Sequence, residues 1–202
     1  MRLRQKKETP HLTDPDVECM LELKEGNRQA LEILMRKYYP RILNFIYRFM
    51  DNRQLAEDLA QEVFMKVYKS AHHYRPRSQF QTWLYTIAKN TCLNELRRNR
   101  RQMVSIDEPV ASGTQGLKQK ISDPRANPAG ELLQKEKKAL IRAAIDDLPD
   151  NQRMAVILRR YENFSYAEIA ATLNVTDKAV KSLLSRAKLN LKNNLAGAID
   201  PD

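Results

Sequence analysis

Residues 165–186 read SYAEIAATLNVTDKAVKSLLSR, and their spacing decides the fold. Ser165 followed three residues later by Glu168 is a capping box, the signature of a helix start. Tyr166, Ile169, Ala170 and Leu173 then recur at helical spacing. Asn174 tolerates the left-handed conformation of a tight turn, and Thr176 can cap a second helix carrying Val180, Leu183, Leu184, Ala187 and Leu191. Two short helices across a tight turn, with the small Ala170 where they approach, make a helix-turn-helix. The polar side of the second helix holds Lys178, Lys181, Ser182, Ser185 and Arg186, donors that suit phosphates and base edges in a major groove. An ordinary helical hairpin with a solvated basic face fits the same spacing.

Upstream of this motif the chain of 202 residues divides by composition. Eleven of its fourteen aromatic residues lie at or before Tyr85, and the others are Tyr161, Phe164 and Tyr166, which implies two separate cores. Residues 103–130 hold no aromatic residue but three of the five glycines and three of the nine prolines, the composition of a flexible linker. The expected architecture is therefore all-α: a helical domain at 14–102, the linker at 103–130, and a smaller helical domain at 131–195 with its helix-turn-helix at about 166–185. The 28 linker residues extend to at most about 92 Å and relax to about 29 Å, enough to bridge one to two turns of duplex when stretched.

In the first domain Asp14 before Pro15 signals a short helix that Gly26 stops. A longer helix spans about Gln29 to Met50, with Leu31, Leu34, Tyr38, Ile42, Phe45, Ile46 and Phe49 on one stripe and Pro40 as an expected kink. Leu55, Ala56, Leu59, Ala60, Val63, Phe64 and Val67 form the next stripe. A helix from about Gln79 to Arg98 places Phe80, Trp83, Leu84 and Ile87 on one side. Four further helical segments are expected after Glu131, broken at Pro149, Asn163 and Asn174.

The net charge of +10, from 35 basic and 25 acidic residues, points to a polyanionic partner. The longest apolar runs are only a few residues, as at Ala155 to Leu158, so no membrane span is expected, and no apolar stretch follows the basic start as in a signal peptide. A cytoplasmic location is the expectation. Cys19 and Cys92 are far apart without a second ligand nearby, and the adjacent His72 and His73 diverge on any regular element, so neither a disulfide, a metal site nor a cofactor is expected.

Two further constellations carry chemistry. Tyr74, Phe80, Trp83 and Tyr85 crowd near Asn90, Asn94 and the cluster Arg97, Arg98, Arg100 and Arg101. Aromatic rings beside cations suit unpaired bases. The alternative is that the rings are core and the arginines complement a helix C-terminus. Asp58, Gln61 and Glu62 share an exposed face at i, i+3 and i+4, which reads as a protein-docking patch or as a solvated face; a metal site is disfavoured, because the sequence positions no histidine or further ligand there.

These segments, DLAQEVF at 58–64, FQTWLYTIAKN at 80–90 and Leu148-Pro149 through the helix-turn-helix, together resemble bacterial RNA polymerase sigma factors of the extracytoplasmic function group, in the sigma-70 family. The resemblance implies that Asp58, Gln61 and Glu62 dock on core RNA polymerase. It implies that Tyr74 and Asn90, with Trp83, Arg97 and Arg98, serve the minus 10 element of promoter DNA, and that Lys178, Lys181, Ser182, Ser185 and Arg186 serve the minus 35 element. It also implies an anti-sigma factor as partner, with no small-molecule substrate and no catalytic group. The competing reading is a one-component regulator whose first domain senses a ligand, although such a domain has no reason to carry the helix from Phe80 to Arg101. An enzyme acting on nucleic acid would need converging carboxylates or a histidine-based site, which the sequence does not offer.

Overall fold

One aspartate organises the start of the fold. In the computed structural model, which describes residues 14–104 and 139–199, helix α1 (Pro15–Lys24) begins where the Asp14 carboxylate accepts the Asp16 amide at 3.0 Å. The second oxygen of the same carboxylate accepts the Phe80 amide at 3.2 Å, at the start of helix α4 (Phe80–Val104). Asp14 therefore closes the N-termini of two helices whose orphan amides would otherwise need water. Gly26 sits at φ 101° just after α1, a conformation that only glycine adopts without strain.

Between these lie α2 (Arg28–Met50) and α3 (Arg53–Ser70), capped by Asn27 and Asn52 through the amides of Gln29 and Leu55. Both bury most of the expected stripes, Leu34, Tyr38, Ile42, Phe45, Ile46 and Phe49 from α2 and Ala56, Leu59, Ala60, Val63, Phe64 and Val67 from α3, while Leu31 and Leu55 are only partly buried. α2 runs unbroken through Pro40. The buried Asp16 carboxylate takes the Lys37 ammonium at 2.6 Å and the Tyr38 hydroxyl at 2.5 Å, which ties α1 to α2. A 3₁₀ turn at Ala71–His73 then leads towards α4.

The helix expected to end near Arg98 continues to Val104, taking in the first two residues of the expected linker. An ion pair from Arg98 to Glu95 at 2.9 Å, one turn apart, supports that end of the helix. The rest of the linker expectation, at 105–130, lies outside the described residues, as does the start of the second domain at 131–138.

The second set comprises α5 (residues 139–146), α6 (Asp150–Tyr161), α7 (Tyr166–Leu173) and α8 (Asp177–Ile199), with breaks at the expected Pro149, Asn163 and Asn174. α6 and α7 each pack on α8 and on one another. The implication of two separate cores is corrected here, because one continuous buried cluster runs from Val17 to Val180. α4 packs against α7 and α2 against α6, and the fully buried Tyr85 ring lies 5.1 Å from Phe45 and 5.0 Å from Phe164. Phe164, in the turn between α6 and α7, is buried with its ring against Tyr85 of the first set.

Replacing Asp14 with Ala removes the caps of α1 and α4 together and should cost about 1 to 4 kcal/mol, against about 1 kcal/mol for Asn52→Ala, since each cap contributes roughly 0.5 to 2 kcal/mol. Urea unfolding of the two variants checks this, and equal losses would show that the bond to Phe80 contributes nothing.

Candidate nucleic-acid interface

The helix-turn-helix is built as its sequence dictates. The Ser165 hydroxyl accepts the Glu168 amide at 3.2 Å, and the Glu168 carboxylate accepts the Ser165 amide at 2.7 Å, so both halves of the capping box are present. Asn174 adopts φ 56°, ψ 51°, and the Val175 amide closes back on the Ala170 carbonyl at 3.0 Å. Thr176 accepts the Ala179 amide at 3.2 Å and starts α8. Ile169, Ala170, Val180 and Ala187 are buried, which commits one side of each helix to packing. Lys178, Lys181, Ser182, Ser185 and Arg186 are all exposed, and their i, i+3, i+4, i+7, i+8 spacing brings them onto one face. None of the three cations there forms an ion pair among the described residues.

On α4 the expected aromatic cluster separates into two parts. Tyr74, Phe80 and Tyr85 are buried, so the expectation that Tyr74 sits beside a flipped base meets a ring that is 3% exposed in this conformation. Tyr74 packs edge-on against Trp83 at 4.9 Å, and its hydroxyl has no hydrogen-bond partner among the described residues. Burial pushes that hydroxyl up to about 12, with the Asp14 charge adding to the shift. Trp83 stays half-buried, held by Tyr74 and by Phe80 at 5.7 Å. From there a single stripe runs along the helix through the exposed Asn90, Asn94, Arg97 and Arg101, about 27 Å at 1.5 Å per residue.

Asn94, Arg97, Arg98, Arg101 and Gln102 line a shallow open groove. Like charges at this density repel unless anions are near, and two of the four arginines do have anions: Arg98 pairs with Glu95 and Arg100 with Asp150 at 3.2 Å. Arg97 and Arg101 have no acidic partner among the described residues and are the cations the groove offers to a ligand.

The third face lies on α3. Asp58, Gln61 and Glu62 are exposed, and Glu62 pairs with Lys66 at 2.7 Å while Lys66 also donates to the Thr91 hydroxyl at 2.9 Å. Sequence reading missed two neighbours. Met65 and Tyr68, 57% and 46% exposed, continue the same stripe and make the face part apolar. The signal was available, since both fall out of register with the buried stripe from Leu55 to Val67.

Among the described residues no cluster of three His, Cys, Asp or Glu could hold a metal, and no helix is long and apolar enough to cross a membrane. Cys92 is buried and its thiol is pushed up to about 12 by that burial, while His72 and His73 are exposed in the 3₁₀ turn.

Two family models match the chain in order: Sigma-70 region 2 over residues 34–102 and Sigma-70, region 4 over residues 138–191. Similar proteins include the RNA polymerase sigma-H factor of Pseudomonas aeruginosa, 34% identical across 87% of this chain and 91% of its own length. The RNA polymerase sigma factor YlaC of Bacillus subtilis is 35% identical over 84% of this chain and 94% of its own, and the ECF RNA polymerase sigma-E factor of Escherichia coli K12 is 32% identical over 85% and 89%. In fold the chain resembles CnrH in its complex with the cytosolic domain of CnrY, with a TM-score of 0.67 and 19% identity over 91% of this chain and 99% of that one. It also resembles the sigma factor RpoE bound to the anti-sigma factor NepR from Bartonella quintana, with a TM-score of 0.61 and 23% identity over 82% and 96%.

Because Asp58 and Glu62 are exposed and Glu62 has only a surface ion pair, reversing both to Lys should change stability by less than about 1 kcal/mol. Thermal melting of the double variant measures this. A loss above about 2 kcal/mol would mean that the face supports the fold rather than a partner.

Proposed function

We propose a division of labour for this chain, which belongs to the extracytoplasmic function group of the sigma-70 family of RNA polymerase sigma factors. A sigma factor binds core RNA polymerase and directs initiation to promoters. In this chain the α3 face of Asp58, Gln61 and Glu62, widened by Met65 and Tyr68, docks on the core enzyme. The α4 stripe takes the minus 10 element: Trp83 offers a ring to an unpaired base, Asn90 hydrogen-bonds beside it, and Arg97 follows the phosphates, joined by Arg98 when that side chain exchanges its Glu95 pair for them. Tyr74 backs Trp83 from the core, so its part is to hold the indole in place. On α8, Lys178, Lys181, Ser182, Ser185 and Arg186 enter the major groove of the minus 35 element, with the domains bounded as 14–102 and 131–195.

The observation that carries this reading is the α4 stripe. A half-exposed ring, two asparagines and two arginines without acidic partners lie in one line on a helix whose opposite side is packed in the core. An operator-binding regulator reads paired bases and has no use for such a stripe, which leaves the one-component reading disfavoured. The role calls for no catalytic step, cofactor or small-molecule substrate from this chain, because bond making belongs to the polymerase. An anti-sigma partner is proposed on the same footing, given that a protein of the same fold is bound to one.

Co-purification with core polymerase tests the docking face. Asp58→Lys with Glu62→Lys should abolish it, and undiminished binding by the folded double variant would refute the assignment. For the reading helix, Arg186→Ala should weaken binding to the specific duplex by about 1 to 3 kcal/mol if the guanidinium makes a bidentate base contact. Equal losses on specific and random duplexes would reduce Arg186 to a phosphate contact.

A further inference from the structure

The contact between α3 and α4 carries a series of charged groups that leads from the docking face to the reading stripe. On α3 the Lys66 ammonium pairs with Glu62 at 2.7 Å and donates to the Thr91 hydroxyl of α4 at 2.9 Å. Thr91 is buried, so the ammonium reaches into the contact between the two helices. One turn beyond Thr91, at i+4 on the same side of α4, stands Glu95. Its side chain is only 7% exposed, and Arg98 is the one cation paired with it among the described residues, at 2.9 Å. Side chains on a helix lean towards its N-terminus, which from Glu95 is the direction of Thr91 and Lys66.

Arg98 has two competing tasks. Its guanidinium suits DNA phosphates, yet it neutralises a carboxylate that is almost out of water. A buried carboxylate stripped of its partner is strongly unfavourable, whereas an ion pair as open as that of Lys66 with Glu62, at 40% and 49% exposure, contributes little. The balance therefore favours Lys66 leaving Glu62 for Glu95 when Arg98 departs. A lysine is suited to that move, because its ammonium is a compact charge with three donors on a flexible four-carbon stem. It can hold Thr91 and a carboxylate together, and Glu62 is left solvated at the surface.

We propose that Lys66 is a positioning residue for Arg98: it replaces the guanidinium on Glu95 and so releases Arg98 to the phosphates of the minus 10 strand. This rests on the minus 10 role given above. Lys66 itself touches no DNA, and its effect is carried by the Glu95 carboxylate.

Two measurements on the full chain test this, the first without polymerase or DNA. In urea unfolding, Lys66→Met should lower the folding equilibrium constant about tenfold more in an Arg98→Ala background than in the otherwise unaltered chain, because Lys66 then neutralises Glu95. Glu95→Gln keeps the shape and removes the charge, so it should abolish that excess. Equal losses in the two backgrounds would overturn the exchange. The second measurement uses core polymerase saturated with the chain, and a short single strand from the minus 10 region of a template that this holoenzyme transcribes. Across a salt series, Lys66→Met should flatten the slope of log affinity against log salt by about 0.7, the value of one phosphate contact on a single strand. Arg98→Ala should flatten it equally, the two together no more than either alone, and adding Glu95→Gln to Lys66→Met should restore it. A slope that Lys66→Met leaves unchanged, or that Glu95→Gln does not restore, would overturn the positioning role. If no template is transcribed, the minus 10 reading is refuted instead, and the unfolding cycle alone decides whether Lys66 takes over Glu95.

Discussion

The contact between Tyr85 and Phe164, at 5.0 Å and with both rings buried, ties the described helices of the second set to those of the first. Tyr85 is held on its other side by Phe45, so the ring is a wedge shared by α2, α4 and the turn before α7. Its hydroxyl cannot be left unpaired at that depth without a cost of about 1 to 3 kcal/mol, and Glu162 supplies the acceptor. Glu162 in turn would be an uncompensated buried charge without Tyr85 and Arg41. Each of the three groups makes the burial of the others tolerable, so together they form a mutually dependent seam between the two helix sets.

What the sequence made legible was local. The capping box at Ser165 and Glu168, the left-handed Asn174 and the Thr176 cap each depend on residues at most five apart, and all are present as read. The stripes of α2 and α3 were legible for the same reason, since a period of 3.6 residues is written in the order of side chains. The seam was not, because Tyr85 and Glu162 are 77 residues apart and nothing in the pattern of either segment names the other. The arginine cluster was half legible. Glu95 lies three residues before Arg98 and could have been paired with it from the sequence, whereas Asp150 meets Arg100 only through tertiary packing.

Tyr74 shows how an ambiguous signal resolves. Aromatic residues among cations fit both a base-stacking site and a core edge; Tyr74 is buried, whereas Trp83 is half-buried and shares a helix face with the asparagines and arginines. α4 thus has two committed sides. One carries Phe80, Leu84, Tyr85, Ala88 and Cys92 into the core, and the other leaves Arg97 and Arg101 without acidic partners. In the minus 10 role proposed for it, a helix anchored this firmly keeps that stripe in place while a duplex is opened against it.

The account stands on the claim that two faces of one chain read two promoter elements for the polymerase. Abortive initiation by core polymerase on a library of promoter templates, with and without this chain, tests that claim most directly. The account predicts short products only when the chain is present, from templates sharing two elements at a fixed separation, with loss of product when either element is replaced. The same products without the chain, or a chain that only suppresses transcription by the core enzyme, would contradict it.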